Sequence, residues 1–182
     1  RERIRSWQEG AGDFELGFWD GAYPEQDLEA AAALIAVMNT QPLGSLQIEE
    51  QRVTPVQLRQ IEAAMFARGI RRWTLHARER SSGKLAGFTD VMWTPSSPAV
   101  LMQVNTGVFP EFRGRGLARR LKAAMLDRVI RDWPAISFVR TSTADANPAM
   151  LAINRALGFA PYASRIIWQA ELDRIEAYLA GG

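Results

Sequence analysis

Residues 108–118 read Val108-Phe-Pro-Glu-Phe-Arg-Gly-Arg-Gly-Leu-Ala118, and this stretch decides the fold. It passes from a β-rich run, through a glycine turn, into a helical pattern. Glycines two apart let the backbone turn sharply and present successive N–H groups. Those donors join the unsatisfied first turn of a helix starting at Leu117, whose dipole adds partial positive charge. Between Glu111 and Asp132 there are seven Lys and Arg against three acids. A strand, a glycine loop and a helix start in that order can cradle a phosphate. The bland alternative is a helix start that needs glycine for geometry, with its arginines solvated on an outer face. A dinucleotide fingerprint would need a third glycine and a parallel βαβ unit. The phosphate-loop lysine of nucleotide hydrolases is missing as well. Both of those readings fall.

Upstream, Asp13–Trp19 alternates as a strand, and Leu28–Asn39 is an alanine-rich helix. Thr40–Thr54 reads as loop. Thr54-Pro55 opens a second helix that Gly69 closes. Arg72–Arg80, Leu85–Trp93 and Val100–Phe109 are three strands joined by turn chemistry, an antiparallel meander. Downstream, Leu117, Leu121, Met125 and Val129 mark a helix ended by Trp133-Pro134. Ile136–Thr143 follows as a strand, Asn147-Pro148 opens a helix closed by Gly158, and Tyr162–Leu172 is expected as a last strand before a short helix from Asp173. The expected division is a tail or linker over 1–12 and a single mixed α/β domain over 13–182.

Composition narrows the functions. The 182 residues are 47% hydrophobic and 23% charged, ordinary for a globular domain. The longest apolar run, Ala30 to Met38, is far short of a bilayer span, so no membrane role is expected. With no cysteine, disulfides and thiolate metal sites are excluded; the single histidine, His76, removes multi-histidine metal sites, and no metal is expected. The net charge of +2 does not argue for nucleic acid, and none is expected as a partner.

A second signature stands downstream of the first: Asn147-Pro-Ala-Met-Leu-Ala-Ile-Asn-Arg-Ala-Leu-Gly-Phe159. With Arg113-x-x-Gly116-x-Ala118 before it and a strand between, the chain resembles the GCN5-related N-acetyltransferase (GNAT) superfamily over roughly Phe14 to Leu172. It looks most like one half of the tandem, mycothiol synthase-like acetyltransferases. The resemblance implies a mixed, mostly antiparallel sheet with a splayed central strand, flanked by helices on both faces. It also implies acetyl-CoA or CoA as co-substrate. Thr106 and Val108 would meet its pantetheine arm through the backbone. Arg113, Gly114, Arg115, Gly116, Leu117 and Ala118 would hold the pyrophosphate, with Asn147 and Asn154 on the following helix. The implied activity is direct transfer of acetyl to the amine of a small-molecule acceptor in a ternary complex. A cytoplasmic location goes with it, and a partner GNAT domain or a homodimer would complete the sheet. The chain opens on Arg1, which fits a fragment of a longer tandem protein.

Departures from the family pattern matter. Many members carry a tyrosine four residues before the glycine of Leu-Gly-Phe, as acid for the leaving thiolate; here Asn154 stands there. A thiol titrates near ~8.5, so its thiolate is a tolerable leaving group without that acid. Asp90, Asp145 and Tyr162 are the candidates for proton transfer, each with a solvated or structural alternative. His76 and the position of Asn105, where an acid could have served, are the remaining polar features of the strands. The competing function is a non-catalytic acyl-CoA-binding module, a degenerate half of a tandem protein.

Overall fold

The computed structural model describes residues 6–7, 12–42, 49–50 and 52–181. The expected tail over 1–12 therefore lies almost wholly outside the described residues, as does part of the loop over 40–54. Five strands form one sheet in chain order: β1 (Phe14–Asp20), β2 (Arg71–Glu79), β3 (Leu85–Trp93), β4 (Val100–Val108) and β5 (Phe138–Thr141). The first four are antiparallel neighbours, and β5 runs parallel to β4. That single parallel pair requires a crossover, which α3 (Leu117–Asp132) supplies.

Two cores flank the sheet. On one face, Leu117, Leu121, Met125 and Val129 of α3 pack on Trp73, Leu75, Val91 and Leu101. Their four-residue spacing is the apolar stripe of the sequence. On the other face, α1 (Leu28–Ala36) and α2 (Pro55–Ala67) cover Trp19, Tyr23, Leu85 and Phe88. Thr54 and Gln57 form a reciprocal capping box with Pro55 at the first helical position, so α2 starts where the sequence places it.

His76 belongs to this second core. Its ring stacks on Trp19 at 4.0 Å, and burial, helped by Arg78, pushes its pKa down to about 4. The unfolded chain takes up that proton near 6.5. The unfolded state therefore binds more protons between those values, and stability falls as the pH drops from about 6.5 to about 4. Urea denaturation at stepped pH should show this slope, and His76→Leu should flatten it within that window.

The chain departs from expectation at its C-terminal end. Residues 159–171 form no strand, and α4 (Pro148–Ala156) and α5 (Leu172–Ala180) are joined by a segment without regular structure. Tyr162, Ile166, Ile167 and Trp168 are all exposed. β propensity measures fit to a partner surface, and this segment has no ladder partner among the described residues. Its apolar residues alone cannot make it a strand.

Candidate functional site

The parallel ladder between β4 and β5 is short. It runs from Val100↔Phe138 to Gln103↔Thr141 and stops. Beyond it, the outer edge of β4 from Val104 to Val108 faces no strand among the described residues. Backbone groups freed this way need partners, and a ligand with amides along its length can supply them.

The inner edge of the same stretch is irregular. Thr89 pairs Thr106 while Val91 pairs Gln103, so Val104 and Asn105 together oppose Asp90. This is a β-bulge, a device that re-aims a strand. Asp90 clamps it. One carboxylate oxygen accepts from the Asn105 amide at 2.7 Å, and the other from Asn105 Nδ2 at 3.0 Å. Asp90 is buried, and burial raises its pKa while the Asn105 hydrogen bonds and Arg72 pull the other way. Both oxygens are thus committed to the bulge.

This geometry makes a test. Asp90→Asn turns an amide against one of Asn105's donors and should cost about 1.5–3 kcal/mol, the range for hydrogen bonds to charged groups. The exchange Asp90→Asn with Asn105→Asp restores complementary donors and acceptors, and denaturation of the double variant beside the single variants Asp90→Asn and Asn105→Asp should show most of the loss recovered.

The glycine loop follows. Gly114 and Gly116 have φ of +77° and +73°, values that side chains with a Cβ rarely adopt. Gly116 is the N-cap of α3, and no side chain caps that end. Leu117 is buried in the core and anchors the first turn, whose N–H donors have no side-chain cap. A Cβ built at Gly114 meets nothing within 4 Å, which is open space beside those donors. An anion fits this place.

The loop arginines are engaged with the protein. Arg113 Nε donates to the Val108 carbonyl at 3.0 Å, and its terminal nitrogen donates to Thr40 Oγ1. Arg115 lies over Phe14 and Phe112 and 3.9 Å from Glu79. Arg113 ties the strand end to the 3-10 turn Val37–Thr40, which packs so closely on Gly107 that a Cβ there would collide with Val37.

The other expected residues are placed as follows. Thr106 turns its hydroxyl inward, 2.8 Å from Thr89 Oγ1, so only its backbone can face the open edge. The Val108 side chain is in the core. Asn147 caps α4, accepting from the Met150 amide at 3.1 Å. Asn154 is buried; its Nδ2 donates to Thr143 Oγ1 at 2.9 Å, and its Oδ1 has no partner among the described residues. Ala118 follows the loop in the first turn of α3. Asp145 lies in an exposed turn and Tyr162 is exposed, with Arg140 4.4 Å over its ring. Among the described residues, no hydrogen bond or ion pair brings Asp90, Asp145 and Tyr162 together. No His, Cys, Asp and Glu cluster suited to a metal occurs among the described residues.

Comparison with known proteins bears on this geometry. No family model matches the chain. N-alpha-acetyltransferase RimI of Mycobacterium tuberculosis is 37% identical over 81 residues, 44% of this chain and 48% of that protein. A tandem GNAT protein from the clavulanic acid biosynthesis pathway superposes with a TM-score of 0.69 at 32% identity, over 84% of this chain. This chain belongs to the GNAT superfamily. A Salmonella typhimurium structure with its cofactor acetyl-CoA, 17% identical, superposes with a TM-score of 0.61 over 84% of this chain and 82% of its own, and shares the fold. The GNAT sheet is present as a mixed, mostly antiparallel sheet with helices on both faces. The chain covers 44% of the tandem GNAT protein's length, so it is similar to a part of that molecule. Among the described residues no helix is long and apolar enough to cross a membrane.

Proposed function

We propose that this GNAT domain is an acetyl-CoA-dependent N-acyltransferase that acetylates the amine of a small-molecule acceptor. The carrying observation is the end of the β4–β5 ladder at Gln103↔Thr141, directly upstream of an uncapped helix start with left-handed glycines. The loop Arg113–Ala118 would receive the pyrophosphate on the first-turn amides of α3. The free edge of β4 through Thr106 and Val108 would pair with the pantetheine arm. Asn154 Oδ1, buried without a partner, would accept from an amide of that arm. Asn147 contributes by fixing the start of α4.

The acceptor amine attacks the thioester carbonyl carbon; a C–N bond forms, the C–S bond breaks, CoA leaves as the thiolate, and the proton lost by the nitrogen passes to that thiolate or to water. An ammonium acceptor with a lysine-like pKa of about 10.4 must lose another before attack. The bulge clamped by Asp90 sets the direction of the backbone groups on β4 at which an oxyanion would form. Asp90 thus acts by position. Asp145 and Tyr162, both exposed, are the remaining proton-transfer candidates. A partner GNAT domain or second copy, and a cytoplasmic location, go with this reading.

The test is thiol release from acetyl-CoA against a panel of small amines, beside CoA affinity by calorimetry. Turnover with any amine supports the enzyme. CoA binding without turnover across the panel favours the non-catalytic module, a reading supported by Asn154 standing where a tyrosine acid is common and by the hydrogen bonds that commit Asp90 to Asn105. CoA affinity should fall several-fold from about 0.05 to 0.5 M salt, because ions screen the attraction of the phosphates to the loop. Salt-independent binding would count against this placement.

A further inference from the structure

One buried cation has no part in the roles assigned so far. Lys122 lies in the second turn of α3, five residues beyond Leu117, which is about 7.5 Å along the helix axis. It is 1% exposed. Its ammonium, which can only donate, makes no hydrogen bond or ion pair among the described residues. Its neighbour is the ring of Phe159, 5.6 Å from Nζ. Burial alone pushes its pKa down to about 8, with no neighbouring carboxylate to raise it.

A cation out of water needs a counter-charge, and a ring face is a partial substitute. Leu or Met at this position would pack with no desolvation cost, so packing does not explain a lysine. A second unpaired atom lies nearby. The Phe159 amide donates to the Asn154 carbonyl at 3.1 Å, and the Asn154 side chain holds its buried Oδ1 without a partner. Lys122 of α3 thus lies over the ring of a residue whose backbone is tied to Asn154 of α4, the residue that holds the unpaired acceptor. Asn154 ties α4 to Thr143, two residues beyond the end of β5, and α3 follows the glycine loop after β4. The helix direction matters as well. Side chains lean toward the N-terminus of their helix, which for Lys122 is the glycine loop.

We propose that Lys122 is the resident counter-cation for an anionic group of the thioester cofactor. That cofactor is anionic at its pyrophosphate, at its ribose 3′-phosphate and, after transfer, at its thiolate. The inference rests on the proposed CoA site. It adds a charge contact inside α3, beyond the loop itself.

Calorimetry on the purified protein tests it with three probes: ADP, which has the pyrophosphate without the arm; acetyl-CoA, which has no thiol; and CoA. The variants are Lys122→Met, which fills the volume without charge, and Lys122→Arg, which keeps the charge. Lys122→Met should melt at or above the parent's temperature, which shows that it folds. It should bind at least one probe tenfold more weakly, while Lys122→Arg stays within about threefold of the parent. Loss of ADP and acetyl-CoA together identifies the pyrophosphate, and parent affinity for ADP should then fall as pH rises through about 8, a trend absent in Lys122→Met. Loss confined to CoA, with ADP and acetyl-CoA unchanged, identifies the thiolate, and loss of both CoA forms but not ADP identifies the 3′-phosphate. Unchanged affinity of Lys122→Met for all three probes would overturn the inference and leave the CoA site standing. No binding of CoA by the parent would overturn both.

Discussion

Glu62→Ala is expected to cost about 3–5 kcal/mol, a large share of the stability of a single domain. Glu62 lies on α2 and is buried, as is its partner Arg72 on β2. One carboxylate oxygen accepts from the Tyr23 amide at 2.9 Å and from Arg72; the other accepts from Arg59 at 2.6 Å. Arg72 also donates to the Gly21 carbonyl at 2.9 Å and lies 3.7 Å over the Tyr23 ring. The carboxylate thus joins α2, the end of β1 and β2. Removing it strands a guanidinium out of water, which costs more than the hydrogen bonds lost. Replacing both partners, Glu62→Leu with Arg72→Leu, should cost less than Glu62→Ala alone, because no unpaired charge remains. Urea denaturation of the single and double variants checks this. A double variant that loses more stability than Glu62→Ala would contradict it.

The pH dependence has a definite sign. Burial opposes ionisation of Glu62, yet the Tyr23 amide, Arg72 and Arg59 together hold its carboxyl below the usual range. Its contribution is present above the unfolded carboxylate value and is lost as pH falls through the lower folded one. It therefore acts below the window in which His76 acts. A parent protein titrated downward should weaken first through His76, below about 6.5, and then through Glu62.

Periodicity located most elements because each is amphipathic against a layer on its own. The stripe of α3 and the meander β2–β3–β4 are examples, and the capping box and terminal glycine bound α2 locally. The glycine loop is equally local, since left-handed backbone demands glycine wherever it occurs. What sequence does not show is pairing at a distance. Tyr23 and Glu62 are 39 residues apart, and on its helix Glu62 has the appearance of a solvated residue. The bulge depends on register, which sets two residues of β4 against Asp90 and turns a candidate base into a clamp. Lys122 belongs to a run of cations that reads as an outer face, but one helical position of that run points inward. The segment over 162–172 fails in the opposite sense: its composition suits a strand, and a strand exists only beside a partner.

Gly116→Val is expected to remove CoA binding by at least a hundredfold while the domain remains folded. The residue has φ of +73°, and β-branched side chains avoid that region at a cost of about 1–2 kcal/mol. The loop can relieve this strain by turning its peptide, since Gly116 is exposed enough to move without opening the core. The relief reorients the first amides of α3, and a phosphate is bound through their joint direction. A Cβ at Gly116 also meets the Arg119 side chain at 3.0 Å, so the new group pushes into the first turn. Gly114→Val differs instructively. Its Cβ meets no protein atom, so any clash it makes is with the ligand. The two variants should therefore separate in melting temperature, with Gly116→Val lower, but converge on lost CoA affinity. Calorimetry with CoA and thermal denaturation of both provide the check. Undiminished CoA affinity in the pair would place the pyrophosphate elsewhere, because a loop that tolerates two β-branched residues is not holding a phosphate on its backbone.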